Sequence, residues 1–229
     1  MTPKAILFDM DGVLMDSEPL HLRATQLSMG GRGPDLGFTE RDNRAFFGTT
    51  DAELFRVLRI LFDLDSPTDA LVEAKRRHLA DLIRREGRPM PGVPEVPRQL
   101  EEAGISLGLV SASARPVIRT VLEAVGLSGT FRTIVSGDEV PRGKPAPDGF
   151  LMAARRLGVA PEDCLVVEDS RNGVLAAKAA GMVVAAVPCP ATSHEDFSPA
   201  DLVLPTLLAL PKALGWNGVA ANRTVGDAS

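Results

Sequence analysis

The run AILFDMDGVLMDSE, residues 5–18, opens with four apolar residues and turns acidic without a break. Ala5–Phe8 has the length and composition of a buried strand. Asp9 and Asp11 follow at once, and Gly12 permits the sharp exit that a loop at the carboxyl end of a strand needs. Residues two apart share one side of a strand, but past its end the chain turns. Two carboxylates placed there can reach one ligand from different directions.

The same figure, an apolar run ending in functional side chains, recurs outward from this point. Strand-like runs occupy 106–111, 133–136, Cys164–Glu168, 183–187 and 202–204, and helix-like segments at 116–125, 147–157 and 172–180 alternate with them. Near-continuous apolar strands separated by helices predict an α/β domain, a doubly wound parallel sheet covered on both faces. In such a sheet ligands sit beyond the carboxyl ends of the strands. Residues 18–89 break the rhythm. No strand is legible there, and three helices fit instead, at 19–29, 51–63 and 67–85, with Asp51 and Pro67 as starters. In the last of these Leu71, Lys75, Leu79 and Leu82 or Ile83 recur at helical spacing. This predicts a helical insertion after the first strand, with the core domain made of residues 1–17 and 90–215. Pro89, Pro91, Pro94 and Pro97 mark the return. Pro97 stands where a helix is otherwise expected, so that helix should start late or bend. Residues 216–229 have few apolar positions and no period, and read as a loose tail.

Composition limits the functions available. With 25 basic and 30 acidic residues the net charge is −5, which argues against nucleic-acid partners. The basic run Lys75-Arg76-Arg77 reads as a solvated helix face. Cys164 and Cys189 show neither a disulfide framework nor zinc spacing. No membrane span or signal peptide is legible, so the expected setting is cytoplasmic, as a monomer or weak homo-oligomer.

The second acidic stretch is VVEDSRNG, residues 166–173. If both strand ends converge, Asp9, Asp11, Glu168 and Asp169 crowd together. Two unit charges about 4 Å apart repel by about 4 kcal/mol at an effective dielectric near 20. Such a cluster must take up protons or a cation. Oxygen-only ligands favour Mg²⁺, typically shared with a phosphate, and the absence of His and Cys from both runs disfavours zinc. Ser111 ends the strand SLGLVS, where its hydroxyl and nearby N–H groups, including that of Ala112, suit a phosphate oxygen. Lys144 in RGKPAPDGF can hold a phosphate and balance charge. Asp169 or Ser170 can cap the following helix.

FDMDGVLMDSE, LVSAS, GKPAPDGF and VVEDSRNGVLAAKAAGM, in this order and at these strand ends, are similar to the four motifs of the haloacid dehalogenase superfamily. The nearest branch is its phosphatases and β-phosphoglucomutases with a helical cap. The resemblance covers nearly the whole chain except the tail and implies a Rossmann-like core, a cap over the site, and Mg²⁺. Asp9 would be the nucleophile and Asp11 the general acid and base, with a carboxyl pKa above the ordinary value. Gly12, Ser111, Ala112 and Lys144 would bind the phosphate. Asp9, Asp169 and the Asp11 backbone carbonyl would ligate Mg²⁺, and Glu168 would hold a metal-bound water. The cap would choose the small phosphorylated substrate, with His21, the loop from Phe46 to Asp51, Arg44 and Arg115 as candidates; Phe46 and Phe47 fit cap core better than ligand platform. A mutase is the nearest rival, but that branch has lysine where Ala114 stands and an arginine where the nearest residue here is Asp51. A dehalogenase would lack Asp11. A non-catalytic phosphometabolite sensor would have no need of a paired nucleophile and acid.

Overall fold

The computed structural model describes residues 3–31, 35–44, 46 and 50–216. The described residues form one parallel sheet of six strands: β1 (Ala5–Phe8), β2 (Ser106–Val110), β3 (Thr133–Val135), β4 (Cys164–Glu168), β5 (Val183–Ala186) and β6 (Leu202–Val203). Their spatial order is β3-β2-β1-β4-β5-β6. The order reverses at β1, which pairs with β2 on one side and β4 on the other, so Ile6 lies opposite both Leu107 and Leu165. That is the switch point where an open parallel sheet leaves a crevice at its carboxyl edge.

Strand alternation sorts the core into two layers. Ile6 and Phe8 face one side, with Leu107, Leu109, Leu165 and Val167. Ala5 and Leu7 face the other, with Val110, Val166 and Phe150. Helices α5 (Glu95–Glu102) and α6 (Arg115–Ala124) cover the first layer, and α7 (Asp148–Leu157) and α8 (Arg171–Ala179) the second. With both faces buried, no position in β1 tolerates a polar residue, which is why that strand is apolar throughout.

Between β1 and β2 stand α1 (Glu18–Ser28), α2 (Glu40–Arg44), α3 (Asp51–Leu61) and α4 (Thr68–Glu86). Met29, Phe38, Leu54, Phe55, Leu58 and Leu71 give this insertion an apolar cluster of its own, while α4 packs on α1 and α6 and so ties it to the sheet. The expected helices are present. Thr50 rather than Asp51 caps α3: its hydroxyl accepts from the Glu53 N–H at 3.2 Å, and Glu53 answers the Thr50 N–H at 2.9 Å.

Four expectations change. Helix α2 has no apolar period in its sequence ERDNR and was not foreseen. Helix α5 starts at Glu95 and carries Pro97 in its first turn, where an N–H has no helical partner to lose, so the proline does not delay it. Arg76 and Arg77 are exposed, but Lys75 is 4% exposed and shares the buried stripe of Leu71, Leu79 and Leu82. Trp216 packs against the core near a short last helix, α9 (Leu210–Ala213); residues 217–229 lie outside the described residues.

Candidate active site

The carboxyl ends of β1, β2 and β4 open into a cleft of about 680 Å³ roofed by the helical insertion. Asp9 leaves β1 with its N–H still bonded to the Val167 carbonyl at 2.9 Å, which fixes its place in the sheet's line. Asp169 leaves β4 beside it. Between the two strand ends lies Gly12, at φ +77°. A Cβ on Gly12 would sit 2.1 Å from Asp169 Oδ2, so both its backbone angle and its contact require glycine. Its N–H donates to the Met15 carbonyl at 2.8 Å and is not offered to the cleft, contrary to the expected phosphate contact.

Asp9, Glu168 and Asp169 each bring one carboxylate oxygen within 4.8 Å of the others, and all three are buried. Lys144 bridges this trio, donating to Asp9 Oδ1 and Glu168 Oε1. Burial works against its charge, but the two carboxylates outweigh burial and raise its pKa. Glu168 Oε2 accepts from the N–H groups of Asp169 and Ser170 and from the Ser170 hydroxyl, each at 3.0 Å. Both oxygens of Glu168 are therefore engaged with the protein. A Cβ on Gly173 would fall 1.8 Å from that carboxylate. Ser170 also caps α8, accepting from the Gly173 N–H at 3.1 Å.

One lysine does not balance the trio. Burial, ahead of any other cause, pushes the Asp9 carboxyl up to about 8, with Lys144 pulling it down and Glu168 and Asp11 adding to the rise. Asp169 is raised well above the usual carboxylate range by burial, then by Glu168 and Asp9. A divalent cation would relieve this stress, and an all-oxygen, closely spaced, buried donor set fits Mg²⁺.

Asp11 stands apart from the trio. Its carboxylate accepts from the Ser17 hydroxyl on Oδ1 and from the Ser113 hydroxyl on Oδ2 at 3.2 Å. His21 Nε2 lies 3.6 Å from Oδ1, a charge-pairing distance rather than a hydrogen bond, and this buried nitrogen has no hydrogen-bond partner among the described residues. Burial pushes Asp11 up, but His21, Ser17 and Ser113 together hold it below the ordinary value, which corrects the expected rise. His21 shows the converse: burial lowers it, and Asp11 raises it further than that.

Ser111 and Ala112 line the cleft. The Ser111 N–H is spent on the Val135 carbonyl at 3.0 Å, while its hydroxyl accepts from the Ser113 N–H at 3.0 Å. The Ala112 N–H has no protein partner among the described residues. Arg115 does not join them. Its guanidinium is committed to Glu139 and to the Ile134 carbonyl at 2.8 Å, because Glu139 already gathers Arg156 and the Ser136 N–H at that corner. In the roof, Phe46 touches both the insertion's apolar cluster and the cleft. Phe47, Gly48, Thr49 and the Arg44 side chain lie outside the described residues. Sequence reasoning missed Ser17, Ser113, the Lys75–Asp51 ion pair over the cleft, and the contacts of Cys189 and Thr192 on Asp169. Helical spacing already put Lys75 on the buried stripe, a signal that its neighbouring arginines obscured.

A family model described as haloacid dehalogenase-like hydrolase matches residues 3–181. Protein CbbY of Rhodobacter capsulatus is 33% identical over 218 residues, covering 91% of this chain and 96% of the relative. Hexitol phosphatase B of Escherichia coli is 35% identical over 217 residues, 91% of this chain and 96% of the relative. The crystal structure of a CbbY variant from Rhodobacter sphaeroides in complex with xylulose-(1,5)bisphosphate superposes with a TM-score of 0.79 at 30% identity, covering 89% of this chain and 94% of that one.

Proposed function

The chain belongs to the haloacid dehalogenase-like hydrolase family, and we propose that within it the protein is a Mg²⁺-dependent phosphatase that hydrolyses a small phosphorylated sugar or polyol through a phosphoaspartyl intermediate on Asp9. The carrying observation is the division of labour in the cleft: one buried carboxylate held by Lys144 within an acidic trio, and a second carboxylate held apart by His21 and two serines.

Asp9 is the nucleophile. Its oxygen attacks phosphorus, and the bond to the leaving alcohol breaks. Lys144, Ser111 and the Ala112 N–H hold the phosphoryl oxygens as their charge shifts. Asp11, in its protonated form, gives the leaving oxygen its proton, and His21 at charge-pairing distance steadies the carboxylate that remains. Asp11 then takes a proton from the water that attacks the phosphoaspartate, which releases inorganic phosphate and restores the Asp9 carboxylate. Asp9, Asp169 and the Asp11 carbonyl are the residues that would hold Mg²⁺, and Glu168 orders Lys144 and the start of α8. When bound, Mg²⁺ supplies positive charge that offsets the transferring phosphate and orients it. The insertion serves as a cap, and Asn43, Asp51 and Lys75 in its cleft wall meet the hydroxyls of a sugar or polyol.

The test is phosphate release from sugar phosphates, polyol phosphates and phosphoglycolate. Turnover should vanish on chelation, return with Mg²⁺, and be lost in Asp9→Asn with the fold retained, since an amide is a poor nucleophile. Full activity after exhaustive chelation would exclude the metal. An Asp9→Asn rate within about a tenth of wild type would exclude Asp9, because loss of a nucleophile costs far more than that.

A further inference from the structure

Asp169 is gripped from behind by a turn that belongs to none of the four motifs. Val187, just past β5, donates its N–H to the Glu168 carbonyl at 2.7 Å, which anchors the start of this turn to the end of β4. The turn closes on itself when the Thr192 N–H donates to the Cys189 carbonyl at 3.1 Å. The Cys189 N–H in return donates to Thr192 Oγ1 at 3.2 Å. A hydroxyl that accepts from an N–H keeps its own proton to give. Here the receiver is Asp169 Oδ2, 3.3 Å from Thr192 Oγ1. Cys189 Sγ donates to the same oxygen at 3.2 Å. Gly12 closes a third side, since even a methyl there would strike Oδ2. Thr192 and Cys189 are 4% and 1% exposed, so water does not compete for these bonds. Oδ1 of Asp169 takes no hydrogen bond from the described residues.

We propose that Thr192, seconded by Cys189, is a positioning residue for Asp169: its hydroxyl fixes the rotation of that carboxylate and occupies Oδ2, leaving Oδ1 for a divalent cation. The inference rests on the reading of Asp169 as a metal ligand. A carboxylate free to rotate loses entropy when it ligates, and one oxygen already hydrogen-bonded gives a single, preset ligand. Partners of ligating groups typically carry 10–100-fold in metal affinity. The hydroxyl should dominate, because a thiol is a weak donor.

The experiment is calorimetric titration of Mg²⁺ into the metal-free enzyme, with thermal midpoints measured with and without Mg²⁺. The variants are Thr192→Val, Thr192→Ala, Thr192→Ser, Cys189→Ala and Asp169→Asn. Thr192→Val should weaken Mg²⁺ binding by about tenfold or more, Thr192→Ala should match it, and Thr192→Ser should stay within about threefold of wild type. Thr192→Ala carries the comparison if the valine variant misfolds. Turnover of the weakened variants should recover as Mg²⁺ is raised, which a misfolded turn would not allow. Thr192→Val and Thr192→Ala binding as wild type does, while Asp169→Asn loses binding, would overturn the inference and leave the metal reading standing. Thr192→Ser as weak as Thr192→Val would also overturn it, by tracing the effect to the methyl group. Asp169→Asn binding like wild type, or a wild-type enzyme that takes up no Mg²⁺, would remove the metal reading and the inference with it.

Discussion

Lys144 is the residue on which the electrostatics of the cleft turn. It lies between Asp9 and Glu168 in a buried site, and its ammonium also stands 5.2 Å from the Phe150 ring centroid, so its position is fixed on several sides. Replacing it with alanine leaves three buried carboxylates without a cation and removes a donor from the phosphoryl group as its charge shifts. Lys144→Ala should lower kcat/KM at least about 100-fold, or about 2.7 kcal/mol, the usual cost of one transition-state donor. Steady-state kinetics at saturating Mg²⁺ checks this, and a loss under about threefold would place Lys144 outside the chemistry. Lys144 and the acids are legible in sequence because each sits at a strand end with a local signature. Thr192 and Lys75 are not, because what defines them lies 23 and 24 residues away, at Asp169 and Asp51. The charge state of Asp11 was misjudged for the same reason: a carboxylate-rich site argues for a raised pKa, but Ser113, 102 residues on, and His21 reverse it.

At the scale of elements, Glu139 joins three of them. It accepts from the Ser136 N–H at the end of β3, from Arg156 in α7 and from Arg115 at the start of α6. The Ser136 N–H above all, and after it the two guanidinium groups and the Ser136 hydroxyl, hold its carboxyl down to about 2 against an opposing push from burial that exceeds either guanidinium alone. A carboxyl lowered on folding stabilises the native state above its unfolded value, about 4.5 for Glu, and that contribution is lost as pH falls from there toward 2. Glu139→Gln should therefore melt a few degrees below wild type at pH 7, with the two curves converging below about pH 4, since about 1 kcal/mol shifts Tm by about 2–4 °C in a chain of this size. Melting profiles across pH test it, and a constant offset down to pH 2 would refute it. Strand and helix positions were readable because apolar period and length agree for most of them. What escaped reading were the short α2, whose sequence carries no period, and the tolerance of α5 for Pro97, which depends on where the first turn falls. Arg115 was misplaced because sequence puts it beside the cleft, while its side chain turns to a partner that only the fold brings near.

For the molecule as a whole, the phosphoaspartate proposed on Asp9 has two possible fates, hydrolysis and transfer to a second sugar hydroxyl, which share the first half-reaction. The choice between them lies in the wall of the cleft that faces the sheet. A mutase must grip a sugar phosphate by its far phosphate so that a free hydroxyl reaches Asp9, and a desolvated dianion needs a net cation there. The sequence shows Asp51 in that region and Ala114 near the mouth. The structure adds Lys75, buried and facing the cleft, a cation that the exposed-face reading of its run had hidden. Lys75 is bound to Asp51 at 2.5 Å, however, so the pair brings no net charge to a distal phosphate, and Arg76, the next cation along that wall, is exposed to solvent rather than buried in the cleft. A neutral pair of donor and acceptor suits hydroxyls better than a second phosphate, and hydrolysis should prevail. Supplied with β-glucose 1-phosphate and a catalytic amount of the 1,6-bisphosphate, the enzyme should release inorganic phosphate in step with substrate loss. Glucose 6-phosphate accumulating much faster than free phosphate would mean that the Lys75–Asp51 pair opens to bind the far phosphate. In that case Asp51→Ala, which frees the lysine, should speed the transfer, whereas in a phosphatase it should disturb substrate hydroxyl contacts and slow phosphate release.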